Sequence, residues 1–158
     1  MIYLINGLIL LYIQLIFVPY LSDYEISFNI LIPFFVWIAI KLPLKKSLYI
    51  TFFIALLFDL IYPDLLGLGI ISSLLITWFV NKYHNNMNKK KFFIVLLAMF
   101  IVNVLYTIAY LIYNMFIFNI AENLFISIGL TIVLNTILST FLVYLFYIVS
   151  KIRIFIDV

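Results

Sequence analysis

Cysteine is absent from this sequence, which excludes disulfides, thiolate metal sites and cysteine nucleophiles together. Charge is scarce too: 9% of the 158 residues are Asp, Glu, Lys or Arg, and His84 is the single histidine. A water-soluble domain of this length needs a polar surface over its core, and there is too little polar material here to make one. Catalytic sets are missing as well. The chain has no Ser/His/Asp arrangement, no H-E-x-x-H and no pair of acids inside an apolar run, and His84 stands in a basic stretch without a neighbouring carboxylate. Its four glycines lack the spacing and the lysine of a phosphate-cradling loop. A non-enzyme is expected, with no cofactor, no metal and no nucleic-acid partner.

What is present is apolar. Hydrophobic residues make up 68% of the chain, aromatic residues 20%, and the mean hydropathy is +1.33. Only a bilayer lets the outside of a protein be as apolar as its inside, so the reading is an all-α polytopic membrane protein. About 20 apolar residues cross the roughly 30 Å hydrocarbon layer. Breaks at charged or proline-containing stretches then give a single domain, 1–158, of six expected transmembrane helices: about 2–21, 26–40, 47–62, 65–80, 92–118 and 124–149. The opening run, MIYLINGLILLYIQLIFVPYL, has neither a basic n-region nor a small-x-small cleavage site, which favours a retained helix over a signal peptide. Pro33 marks the second segment as the weakest, because proline removes a backbone donor and kinks a helix interior. The stretch NKYHNNMNKKK, Asn81 to Lys91, reads as a loop.

Charge tests that count independently. Lys41, Lys45 and Lys46 separate segments two and three; Lys82, Lys89, Lys90 and Lys91 separate four and five; Lys151 and Arg153 follow six. With six spans all nine basic residues share one side, which the positive-inside rule makes cytoplasmic, along with both termini. The opposite loops hold Asp23, Glu25, Asp64 and Glu122 and no basic residue. Lys89 to Lys91 are read as a topology signal, with anionic headgroups or a cytoplasmic partner as the other possibilities.

Within the stretch ALLFDLIYPDLLGLGIISSLL one acid, Asp59, interrupts an oily run. It is either a polar partner, ligand or proton site facing the bundle interior, or an acid that reaches interfacial water or caps the next helix. Downstream, Pro63 fixes a backbone dihedral and Asp64 is placed to cap a helix starting near Leu65, making a tight helical hairpin. Gly67, Gly69, Ser72 and Ser73 offer small surfaces for close helix approach. Gln14, Asn103 and Asn135 are expected to hydrogen-bond between helices, a contribution averaging about 0.6 kcal/mol.

The order of these features resembles the bacterial rod shape-determining protein MreD family. Leu11 to Pro43, LYIQLIFVPYLSDYEISFNILIPFFVWIAIKLP, is similar to that family's first span, short outer loop and second apolar run. Leu48 to Tyr83 is similar to its apolar run, Asp, loop, Leu-Gly and apolar run, with Asp59 and Gly67 on the two recognisable positions and Ala55 where the family tends to have glycine. The resemblance covers about the first half of the chain. It implies a non-catalytic scaffold subunit of the cell-wall elongation complex in the bacterial inner membrane. The implied partners are an MreC-like bitopic protein, RodA, a penicillin-binding transpeptidase and MreB. It also implies a six-helix fold similar to the substrate-binding components of energy-coupling-factor transporters. An alternative is the substrate-binding component of a transporter for a vitamin-like molecule, and a third, less supported by the residues, is a lipid-modifying enzyme.

Because the chain has no cysteine of its own, a thiol introduced at Lys45 should react with a membrane-impermeant maleimide only after the inner membrane is opened, and one at Glu122 before. Labelling at Lys45 from outside would overturn the six-span topology.

Overall fold

In a computed structural model the residues described are 2–21, 29–61, 67–83, 97–108 and 124–154, and all the regular structure among them is helical. The helices are α1 (Ile2–Leu21), α2 (Leu31–Lys41), α3 (Leu44–Ile61), α4 (Leu68–Tyr83), α5 (Leu97–Ile108) and α6 (Leu124–Ile154). The expectation of an all-helical chain holds. The expectation of six full-length spans does not follow from these lengths: among the described residues one stretch, Ile128–Phe146 in α6, is both long and apolar enough to cross a bilayer. The 11 residues of α2 rise about 16 Å and the 16 of α4 about 24 Å, against a hydrocarbon layer of about 30 Å. The 18 residues of α3 include Lys45, Lys46 and Asp59, which hydropathy segmentation had partly placed in a loop.

α2 is the centre of the bundle. Its sequence, LIPFFVWIAIK, is apolar on every face, and a helix of that kind has no side to show to water. Every residue from Leu31 to Ala39 is buried, and the helix packs against α1, α3, α4 and α6. One side of it, Leu31, Phe34, Phe35, Trp37 and Ile38, joins Leu11 of α1 with Ile54 and Ala55 of α3. The other, Ile32, Val36 and Ala39, joins Ile76 and Val80 of α4, Met99 and Val102 of α5, and Val143 of α6.

A short helix packed among others must find partners for the terminal N–H and C=O groups that its neighbours cover. Polar side chains from three neighbours do this. The Asn29 N–H donates to Asn135 Oδ1 (3.1 Å) and the Ile30 N–H to Gln14 Oε1 (2.7 Å). The Leu31 and Ile32 N–H groups both donate to Asn29 Oδ1, at 3.1 and 3.3 Å. The next residue is Pro33, which has no N–H. It therefore stands in the first turn, where there is no intrahelical bond for it to break, and the kink expected of an interior proline has no cause. At the other end Asn81 Nδ2 donates to the carbonyls of Ala39 (2.6 Å) and Leu42 (2.9 Å).

These bonds also fix direction. Gln14 lies beside the start of α2 and Tyr3 beside its end, with ring centroids of Tyr3 and Trp37 5.3 Å apart, so α1 runs antiparallel to α2. Asn135 lies at the start of α2 and Phe146 packs 5.5 Å from Trp37, so α6 runs parallel to it. Asn81 brings the end of α4 to the end of α2, which gathers Lys41, Lys45, Lys46 and Lys82, all exposed, at one end of the bundle.

The outward surface is apolar on every helix around α2. Ile5, Ile9, Tyr12 and Ile16 of α1, Phe52 and Phe53 of α3, Ile71, Leu75 and Phe79 of α4, Leu97, Phe100 and Leu105 of α5, and Val133, Ile137 and Phe141 of α6 are all exposed. Inside lie Gln14, Ser47, Thr51, Asp59, Thr77, Asn103, Asn135 and Ser139, all buried. Asn103, expected as interhelical glue, donates to the Met99 carbonyl of its own helix (2.9 Å) and reaches Ser139 of α6 at 3.4 Å.

Asn29→Ala removes the acceptor of two N–H groups and should cost about 1–2 kcal/mol, within the range of lost helix caps. Asn81→Ala strands two carbonyl acceptors and should cost a similar amount, about 1–2 kcal/mol. Thermal or denaturant unfolding of the detergent-solubilised chain measures both, and an unchanged midpoint would contradict the tether assignment.

Candidate functional site

The hairpin of α3 and α4 holds the one buried carboxylate among the described residues. On α3, Ser47, Thr51, Ala55 and Asp59 recur every four residues and so share one face. All four are buried, and their small side chains let α4 come close. The facing surface of α4 consists of Gly69, Ser72, Ser73, Ile76, Thr77 and Val80. Midway along, Thr51 Oγ1 and Thr77 Oγ1 lie 3.0 Å apart and both residues are fully buried. Ser72 Oγ instead donates to carbonyls of its own helix, Leu68 (2.7 Å) and Gly69 (3.2 Å), which satisfies the hydroxyl without a second chain.

Asp59 closes the far end of this seam, in the last turn of α3. Its Oδ2 accepts the N–H of Gly67 (2.9 Å) and of Ile70 (3.1 Å). Those are orphan donors at the start of α4, where the helix dipole presents its positive end, so a carboxylate from the preceding helix serves as the cap. Of the roles read from the sequence the structure shows one: Asp59, buried, caps the next helix. The start of α4 is at Leu68, not near Leu65, and its cap comes from Asp59; Pro63 and Asp64, the expected turn and cap, lie outside the described residues.

The two glycines serve different ends. Gly67 sits at φ +94°, a left-handed conformation that costs an L-residue dearly and glycine little. Gly69 lies directly beneath the carboxylate: a Cβ there would collide with Asp59 Oδ1. That oxygen has no hydrogen-bond partner among the described residues. Small side chains at 67 and 69 were expected for helix packing; their actual roles are a turn conformation and room for an acid.

Of the remaining predicted residues, Ser72 and Ser73 are buried in the α3–α4 seam. Lys41, Lys45, Lys46 and Lys82 are at the opposite end of the hairpin, so the structure does not join them to Asp59. Lys89, Lys90 and Lys91 lie outside the described residues. Sequence reasoning missed Asn29 and Asn81, the first inside a predicted span and the second at the start of a predicted loop. An Asn four residues before a proline, at the head of an apolar run, was the available signal for the helix start.

With one carboxylate oxygen engaged by two amides and the other against Gly69, the arrangement is suited to locking two helices. Among the described residues no three His, Asp or Glu side chains converge on a point. Compared with protein families, characterised proteins and solved structures, the chain matches none of them.

Asp59→Ala leaves two amide donors without an acceptor and should cost about 1–3 kcal/mol, the penalty for buried donors left unsatisfied. Asp59→Asn keeps an acceptor oxygen and should lose less. Gly69→Ala should be harmful in the native chain and nearly neutral once Asp59 is Ala, because the collision disappears with the carboxylate. A double-mutant cycle read by thermal unfolding checks this, and additive losses would refute the close contact.

Proposed function

We propose that this chain is a membrane-embedded, non-catalytic scaffold subunit of the bacterial cell-wall elongation complex, binding an MreC-like bitopic partner through its helical bundle. The observation that carries membrane residence is the distribution of polarity: large apolar side chains face outward on α1, α3, α4, α5 and α6, while amides, hydroxyls and the carboxylate face inward. A soluble bundle reverses that pattern, and a hydrocarbon surround favours it.

On this reading the six helices thread the bilayer with both termini and the lysine-bearing end at the cytoplasm, as the positive-inside rule requires. α2 touches protein on all sides, so its 11 residues need not match the thickness of the lipid. α4 is short by a few ångströms, which local thinning and a reaching Lys82 accommodate. A scaffold role is supported by how the interior polar groups are used: Gln14, Asn29, Asp59, Asn81 and Asn135 are spent on holding helix ends together. The identity of the complex and its partner rests on the layout of Leu11–Pro43 and Leu48–Tyr83 and its resemblance to the MreD family.

A detergent-solubilised, tagged chain should capture the MreC-like protein of its own organism, and Asp59→Ala should reduce that capture and alter cell shape. Failure of capture by the native chain would remove the partner assignment. Micromolar binding of a vitamin-like molecule by calorimetry would move the chain to the transporter class instead.

A further inference from the structure

We propose that the end of the bundle where α2, α3 and α4 meet is a binding site for the headgroup phosphate of an anionic phospholipid, an inference that rests on the membrane reading above. Lys41 closes α2, Lys45 and Lys46 occupy the first turn of α3, and Lys82 lies in the last turn of α4. All four are exposed. Asn81 ties these ends together, because its amide reaches the Leu42 carbonyl at 2.9 Å, one residue from Lys41 on one side and from Lys82 on the other. The only carboxylate among the described residues, Asp59, is at the opposite end of α3; Asp157, near the end of the chain, lies outside them. Two cations in the first turn of α3 also stand against the positive end of that helix's dipole. Lys45, Lys46 and Lys82 alone bring three exposed cations to this end, and a phosphate is the group that complements them.

The surroundings select a lipid over a soluble anion. Lys82 Nζ lies 4.9 Å from the centroid of the Trp78 ring and 5.7 Å from that of Tyr83. Trp78, Tyr83 and Tyr49 are 43%, 40% and 70% exposed, the amphipathic aromatics that settle at headgroup level. Directly along the same helices run exposed Leu75, Phe79, Phe52 and Phe53. A cationic rim continuous with an apolar wall matches a ligand that is itself an anion joined to hydrocarbon.

Trp78 is also the natural reporter, since the other tryptophan, Trp37, is buried. In proteoliposomes the Trp37→Phe chain should be quenched by brominated phosphatidylglycerol at about one fifth of the concentration needed with brominated phosphatidylcholine, the factor expected from a single basic residue near an anionic surface. The preference should vanish when Lys41, Lys45, Lys46 and Lys82 are all changed to Gln, and millimolar inorganic phosphate should leave it intact. Equal quenching by the two lipids would overturn the site, and abolition by inorganic phosphate would reassign it to a soluble anion. Flotation with vesicles separates the two levels: a chain that does not float refutes the membrane reading, and one that floats without preference refutes only the site. Should Trp37→Phe not fold, the native chain supplies a second measurement, the phospholipid retained after mild detergent extraction, which should be enriched in anionic species over the bulk membrane; retention in bulk proportion would overturn the site.

Discussion

A backbone amide or carbonyl shut away from water must be hydrogen-bonded, and in this bundle that rule acts most strongly on the shortest helix. Four donors and four acceptors are left over at the ends of any helix, and in α2, only 11 residues long, they are a large share of its polar groups. Here those ends lie among other helices. Gln14, Asn29 and Asn135 meet the donors, Pro33 removes one, and Asn81 meets two acceptors. Four of the chain's amide side chains, unusual in so oily a chain, are thus accounted for by the ends of one helix.

The same logic explains Asp59. A carboxylate in a buried seam would be expensive alone, but at the start of α4 it meets two N–H groups and the positive end of a dipole. Gly67 gives the chain the turn that aims those donors, and Gly69 gives the acid space. The Thr51–Thr77 contact then keeps the two helices in register farther along. The result is a hairpin held by internal polar contacts along its seam, with apolar side chains such as Phe52, Phe53, Ile71 and Leu75 on its outer faces.

Much of this was visible beforehand. The first apolar run became a helix over the same residues, Ile2–Leu21, and the lone acid, read either as an interior polar site or as a cap, caps the next helix. The rest was hidden for physical reasons. Hydropathy does not distinguish a short helix enclosed by protein from one that crosses lipid, so the second segment was read from 26 to 40 when α2 starts at Leu31. Asn29 was overlooked because apolar residues surround it, and Asn81 because the polar stretch after it reads as loop. For Asn81 the deciding information is a partner about forty positions away, whereas the N–H groups that Asn29 caps are two and three residues on. A cap supplied by Asp59, eight residues from Gly67 and across a turn, is likewise outside the local capping patterns that a sequence displays.

The bond from Asn29 to Asn135 spans 106 positions. Synthesis therefore delivers the core helix long before the residue that completes its environment. Until α6 emerges from the ribosome, one donor at the head of α2 waits for its acceptor, and the nascent chain holds an unfinished interior. The core helix is consequently completed only after α6 arrives, in keeping with the slow closure of contacts between remote segments.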